Sequence, residues 1–265
     1  MKPTFSAVIP TLARPGLVDA LASVLQQVEP PSEIIVVNNG PIGSNAEDLL
    51  GSAGIDDERI TLLSLPPRSG PGMSRNVGAW HATADYVAFL DDDDLWADDY
   101  LMHMAERIEA TDADLLFGAR VFLDKQGMPS RTKRPGDIPV EAWLDVLLEG
   151  RNPGVGGQNL VVRRDAFFEI GGFPIDLTSG QDRSFTLRAL QTGLSLATLD
   201  DARVYLRDPP GYRATGRTSN WFNDIKILAD NWGAMRWSQR ARHSRMVVAR
   251  ARATRHNKGR LSADS

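Results

Sequence analysis

The chain contains no cysteine. That excludes disulfide bonding and zinc–thiolate coordination, and leaves the redox compartment open. Long apolar runs are missing too: no stretch approaches the ~20 residues of a membrane-spanning helix. Met1 to Pro10 lacks a basic region followed by a long apolar run, so it does not read as a signal peptide. A cytoplasmic protein is expected. The glycine signatures of two nucleotide-binding folds are also absent. No Gly-x-Gly-x-x-Gly follows the first strand, and no Gly-x-x-x-x-Gly-Lys-Ser/Thr occurs. Histidine is scarce, and none of the four, at 81, 103, 243 and 256, lies near Asp182 in sequence.

What is present suits one large α/β domain, or one domain with an appendage: 265 residues, of which 42% are hydrophobic. Charge is split along the chain. From Arg236 onward nine basic residues face one acid, giving +8, which leaves −12 of the net −4 on the first 235 residues. An acidic body with a basic tail implies an anionic partner for the tail.

The pattern of the first half alternates strands and helices. Thr4 to Ile9 reads as a strand, Leu17, Leu21, Val24 and Leu25 as the buried face of a helix, and Glu33 to Val37 as a second strand. Residues 44–53 suggest a weak helix, Ile60 to Leu65 a third strand, and Met73 to Ala82 a helix. Such alternation predicts a mainly parallel sheet. In the second half, Leu115 to Leu123 reads as a strand, Lys125 to Pro139 as a polar loop, Val140 to Leu148 as a helix and Asn159 to Val162 as a strand. The glycine-rich loop Asn152 to Gly157 would allow close backbone approach to a ligand, or serve as a plain connection. A helix after Gly180-Gln181-Asp182 buries Phe185, Leu187 and Leu190 and exposes Arg188; two strands, Leu196 to Leu199 and Arg203 to Leu206, follow. Trp221 to Trp232 and Arg236 to Arg252 read as further helices.

The sharpest feature is Tyr86-Val87-Ala88-Phe89-Leu90-Asp91-Asp92-Asp93-Asp94. An apolar run suited to a buried strand ends in four carboxylates. The helical pattern of Leu101, Met104, Ala105 and Ile108 follows, which places the acids at a strand's carboxyl end, where open α/β sheets bind ligands. Four adjacent carboxylates repel unless a cation offsets them, and oxygen ligands suit Mg²⁺ or Mn²⁺. In extended backbone Asp91 and Asp93 share a face. The plainer alternative is a solvated loop in which Asp94 or Asp98 caps the next helix.

Four segments together resemble the family 2 glycosyltransferases, with their GT-A fold. They are Ala7-Val8-Ile9-Pro10-Thr11; Glu33-Ile34-Ile35-Val36-Val37-Asn38-Asn39-Gly40; Arg75-Asn76-x-Gly78 with Ala84 to Trp96; and Gly171-Gly172-Phe173 with Gly180-Gln181-Asp182 and Arg188. The match runs from about residue 5 to 206. It implies a Rossmann-like, mainly parallel sheet flanked by helices. A GT-A domain would span 1–207, with a nucleotide-binding half to about 96 and an acceptor-side half from 97, followed by a helical, basic extension over 208–265 with a flexible end.

The resemblance also implies roles. Asp93 would hold the divalent cation that bridges the donor's phosphates, with Asp91 supporting it or contacting the ribose. Pro10, Thr11, Arg14, Asn39, Arg75 and Asp92 would belong to the nucleotide site, and Asp182 would be the catalytic base. The implied reaction is transfer of a sugar, with inversion, from a nucleotide-diphosphate sugar to an acceptor hydroxyl, whose site would lie in 124–157 and 208–235. Two positions depart from the family pattern, Asn38 for aspartate and Gln181 for glutamate. Asp182 can also be read as a helix N-cap, and Arg75 as a surface residue paired with a carboxylate.

Other readings compete. A phosphatase or phosphotransferase of haloacid dehalogenase type also places Asp-x-Asp after a strand, but Leu95 stands where Thr or Val is expected. A sugar nucleotidyltransferase should show Gly-x-Gly-Thr-Arg near its start, and Pro10-Thr11-Leu12-Ala13-Arg14 does not fit. A nucleotide-sugar-binding module without activity is the non-enzymatic alternative. For the basic tail, two partners are expected: the domain's own acidic surface, within the chain or across a dimer, or an anionic membrane at its inner face. Nucleic acid is not, since phosphate would repel the acidic domain.

Overall fold

The computed structural model describes residues 2–207 and 221–261, with 254–261 described by backbone alone. Alternation along the first strand sets the layers. β1 (Phe5–Thr11) is buried at every position. Ala7 and Ile9 face one side and Val8 the other, and helices cover both. α1 (Gly16–Leu25) packs Leu17, Leu21 and Val24 on the first side. β2 (Glu33–Asn38), α2 (Ala46–Ser52) and β3 (Ile60–Ser64) follow. α3 (Gly70–His81) covers the second side so closely that a Cβ on Gly78 would lie 2.3 Å from Val8 Cγ1. β4 (Tyr86–Phe89) completes the parallel order β3-β2-β1-β4.

That order opens a crevice at the carboxyl ends of β1 and β4, because β2 and β4 lie on opposite sides of β1. Pro10 helps to open it. β1 pairs with β4 only as far as Val8↔Phe89, whereas its pairing with β2 continues to Thr11↔Asn38. Pro10 therefore lies beyond the end of β4, where its missing N–H costs no ladder bond.

The chain continues through β5 (Asp94–Trp96), α4 (Tyr100–Thr111), β6 (Leu115–Leu123), β7 (Pro129–Lys133), α5 (Trp143–Leu148), β8 (Leu160–Arg163), α6 (Arg164–Glu169), α7 (Gln181–Gln191) and β9 (Leu196–Leu206). The nine-stranded sheet has the order β3-β2-β1-β4-β8-β6-β9-β5, with β7 on β6. Its β3-β2-β1-β4 part is parallel. The remainder is mixed, since β8 runs antiparallel to β4 and β6, while β6 and β9 are parallel. The far-edge strand β5 curls back to α1, where Trp96 N donates to Ser23 Oγ at 3.2 Å.

Four local expectations change. The acidic run does not pass straight into a helix: a tight turn, closed by Asp94 N donating to Asp91 O at 3.1 Å, hands it to β5, which pairs with β9. Residues 129–133 are a strand rather than loop; β7 is an edge strand exposed along most of its length, so no apolar alternation betrays it. The two expected strands after 195 are one, β9, with the irregularity taken up opposite Gly118 and Ala119. Arg188 is half-buried and donates to Gly172 O.

The extension is helical, as expected, with α8 (Trp221–Asp230) and α9 (Trp237–Leu261). Its basic residues meet the acidic domain. Arg236 and Gln239 share Asp145 at 2.6 and 2.8 Å and Arg242 pairs with Glu149, while Arg250 pairs within the extension itself, with Asp224 of α8 at 2.7 Å. The acceptor-side stretch 208–220 and the end, 262–265, lie outside the described residues. No helix among the described residues is long and apolar enough to cross a membrane.

Candidate active site

The crevice is a cleft of about 400 Å³. Its walls come from the ends of β1 and β2 (Pro10, Thr11, Leu12, Arg14, Asn39), from α3 (Pro71, Arg75) and from the acidic turn, Asp91 to Asp94. The second half of the chain supplies Arg120 and Phe122, Gly156 to Gln158, Thr178 to Asp182, and Leu206 with Arg207. Every site residue expected from the sequence lies on this one lining.

The acidic turn divides its work. Asp92 points back into the fold, where it is only 2% exposed. It accepts from Thr11 Oγ1 at 2.7 Å and Leu12 N at 3.2 Å, and pairs with Arg14. This anchor holds a strained turn, since Ala13 sits in the left-handed region at φ 55° and donates its N–H to Thr11 Oγ1 at 2.9 Å. Asp91, Asp93 and Asp94 instead converge, each offering an oxygen within 4.8 Å of the others. Burial, then Asp91 and Asp92, push the Asp93 carboxyl up to about 6, with Arg14 pulling the other way. Burial, then Asp91 and Asp93, raise Asp94 well above the carboxylate range. Buried acids raised by one another either keep protons or share a cation, and an all-oxygen set of this kind fits a hard divalent ion.

The sequence does not mark Asp94 as a metal ligand. Spacing pairs Asp91 with Asp93 only for extended backbone, and the turn that brings Asp94 alongside is tertiary. Asp94 is not a helix cap: it opens β5. Arg207 was missed as well. Its backbone N–H reaches Asp94 at 3.3 Å, its Nε donates to Asp93 O at 2.8 Å, and its Nη1 reaches Asp19 at 2.5 Å, so β9 and α1 together brace the turn.

Arg75 is buried and pairs with Asp91. Its guanidinium also lies 5.5 Å from the Phe173 ring centre, and Gly157 packs against it so tightly that a Cβ would come within 2.5 Å of Nη2. Asn39, with its amide nitrogen donating to Thr11 O at 2.9 Å, accepts from Gly70 N and Ser74 Oγ at 3.1 Å each, tying β2 to α3. Asn38, the departure from aspartate, holds its own loop through Gly40 N at 2.9 Å and Ser44 O at 3.1 Å. Gln181 is buried and donates to Leu177 O at 2.8 Å. Asp182 is partly exposed in the first turn of α7, whose N-cap is Gly180 in the left-handed region, so Asp182 is not the cap.

The profile described as "Glycosyl transferase family 2" matches residues 6–171, more than half of the chain. The chain belongs to glycosyl transferase family 2. The family 2 match takes in the acidic turn and Arg75, and it removes the dehalogenase-type phosphatase reading. Among relatives, the chain is 38% identical over 103 residues to the succinoglycan biosynthesis protein ExoW of Rhizobium meliloti, covering 38% of this chain and 32% of that one. It is 33% identical over 129 residues to the putative teichuronic acid biosynthesis glycosyltransferase TuaG of Bacillus subtilis, covering 48% and 51%. The chain thus spans a third to a half of the length of these relatives. In fold it resembles S. aureus TarS 1–349 in complex with UDP-GlcNAc, with a TM-score of 0.69 at 20% identity over 84% of this chain and 64% of that one. That likeness establishes the GT-A-type fold of this family 2 domain.

Proposed function

We propose that the chain transfers a sugar, with inversion, from a nucleotide-diphosphate sugar to an acceptor hydroxyl, and that the transfer depends on Mg²⁺ or Mn²⁺. The carrying observation is that three converging carboxylates and Asp182, distant in sequence, line the same cleft. A structural neighbour bound to UDP-GlcNAc supports a nucleotide-sugar donor of this class.

Asp91, Asp93 and Asp94 would hold the cation, which when bound stabilises the charge of a diphosphate leaving group. Thr11, Asn39 and Arg75 would receive the nucleotide at the ends of β1, β2 and α3. Arg14 and Asp92 would fix the wall on which it rests. Asp182 would take the acceptor's proton as its oxygen bonds to the anomeric carbon, while the bond from that carbon to the diphosphate breaks. The nucleoside diphosphate leaves with the electron pair, and one displacement inverts the configuration.

Labelled UDP-sugars offered with Mn²⁺, and again with EDTA, test the reading. Cation-dependent hydrolysis or transfer is expected, and Asp182→Asn should lower turnover by about a hundredfold or more with UDP affinity little changed. Binding of nucleotide sugar without any turnover would favour the inactive binding module. A product retaining the donor's configuration would remove Asp182 from the role of base in a single displacement.

A further inference from the structure

The hairpin of β6 and β7 carries three cations that the cleft's carboxylates Asp182 and Asp94 attract only across a distance. Arg120 is directly opposite Lys133, and Phe122 directly opposite Arg131. Residues two apart on a strand share a face, so Arg120, Lys133 and Arg131 form one cationic surface. Arg120 and Phe122 line the cleft, which fixes the direction this surface faces. Like charges directly opposite one another on a sheet are destabilising. None of the three has a carboxylate within ion-pair distance among the described residues. Arg120 Nε is buried without a hydrogen-bond partner, Lys133 Nζ donates only to Asn152 O at 2.6 Å, and the Arg131 guanidinium lies over the Phe122 ring at 4.1 Å. Burial first, then Arg120 and Arg131, push the Lys133 amine down to about 8, while Asp182 pulls it up.

We propose that the acceptor is anionic, and that a phosphate or carboxylate on it seats against Arg120, Lys133 and Arg131 while its hydroxyl meets Asp182. This rests on the transferase reading above and adds the chemical class of its acceptor. Two guanidinium forks and an ammonium on one rigid face suit a tetrahedral or planar oxyanion. The anion would relieve the Arg120–Lys133 repulsion and give Arg120 the partner it lacks. Placing the cations on a paired hairpin, rather than on a loop, holds the charged group at a set distance from the base.

The test uses the whole chain with saturating UDP and Mn²⁺, so that the donor side is filled. Methyl phosphate, methyl glucuronide and the neutral methyl glucoside are then titrated, with binding read by calorimetry or NMR. The charged probes should bind about tenfold tighter than the neutral one, the usual scale of a charge-assisted contact. The stronger of the two identifies phosphate or carboxylate as the source. The double variant Arg131→Gln, Lys133→Gln should lose the preference, with UDP affinity unchanged and no fall in Tm beyond a few degrees. Equal or undetectable binding of all three probes to the native chain overturns the proposal, as does a preference that survives in the variant. So does an equal loss of UDP affinity, which would assign these cations to the donor. Failure of the native chain to bind UDP or any other nucleoside diphosphate would instead strike the transferase reading.

Discussion

Arg183 Nη1 lies 3.1 Å from Asp224 Oδ1, with both side chains less than a tenth exposed. The other oxygen of Asp224 takes Arg250 at 2.7 Å. One carboxylate on α8 therefore joins α7, next to the candidate base Asp182, to the basic helix α9. A buried carboxylate between two guanidinium groups is tolerated because each charge has a partner, and removing it leaves Arg183 charged and alone.

Asp224→Ala should accordingly cost about 3–5 kcal/mol of stability. Denaturant melts of the native and variant chains measure it. The double variant Arg183→Met, Asp224→Leu should recover most of the loss, because it removes both buried charges and leaves only Arg250, which is partly exposed to solvent. A loss below about 1 kcal/mol in the single variant would mean that water reaches the pair as it does at a surface.

Gly157→Ala should weaken donor binding without unfolding the chain. The added Cβ would lie 2.5 Å from Arg75 Nη2 and 2.6 Å from its Cζ, so the guanidinium must leave its place against Asp91. The overpacking should cost about 1–3 kcal/mol. UDP titration with Mn²⁺ should show at least a tenfold loss, and Arg75→Lys a similar one, since an ammonium cannot reproduce a planar fork. Unchanged UDP affinity in both would detach Arg75 from the nucleotide site.

Asp93→Ala should abolish cation-dependent turnover and leave a folded chain. Asp94→Asn should behave differently. It removes a buried charge that its neighbours disfavour, so the cation-free chain should melt no lower than the native one. It also removes a ligand, so the rise in Tm produced by Mn²⁺ should shrink. Thermal shift across a Mn²⁺ series reads both effects. An undiminished Mn²⁺ response in Asp94→Asn would take Asp94 out of the cation site.

His243 gives stability a pH dependence. It is 1% exposed, its Nδ1 lies 2.9 Å from Leu148 O, and its Nε2 has no partner among the described residues. Burial lowers its pKa first, with Arg183 and Arg250 adding to that and Leu148 O and Asp224 opposing it. Below the ordinary value of about 6.5 the unfolded chain binds a proton that the folded chain resists. The His243 contribution is thus fully present above about pH 6.5 and is lost as pH falls below it. Asp93, pushed up to about 6, gains stability as pH falls through the same window, so the readout is the difference between two chains: melts between pH 7.5 and 5.5 should show the native chain losing stability relative to His243→Leu. Identical slopes in both chains would place the titrating group elsewhere.

Local pattern was enough to place the parallel part of the sheet, β3-β2-β1-β4, and the acids at its edge. Unbroken apolar runs as short as Ile34 to Val37 and Tyr86 to Leu90 suit strands covered on both faces, and a strand ending in carboxylates delivers them to the sheet's carboxyl edge. Contacts between distant motifs, by contrast, needed the folded chain. Asn76 holds Phe173 from both sides, donating to its O at 2.9 Å and accepting from its N at 2.8 Å. Tertiary structure alone decided which acids converge. Four identical side chains in a row carry no pattern, and only the turn closed at Asp91 and the pull of β9 on Asp94 separate the anchor Asp92 from the cluster. The same holds for β7 and for Arg120. An exposed edge strand has no buried face to impose alternation, and the meaning of an arginine within an apolar strand depends on a hairpin partner, Lys133, that local sequence does not name. Periodicity records burial against a neighbour, so it reveals the elements whose neighbours are the core and is silent where the neighbour is a cleft.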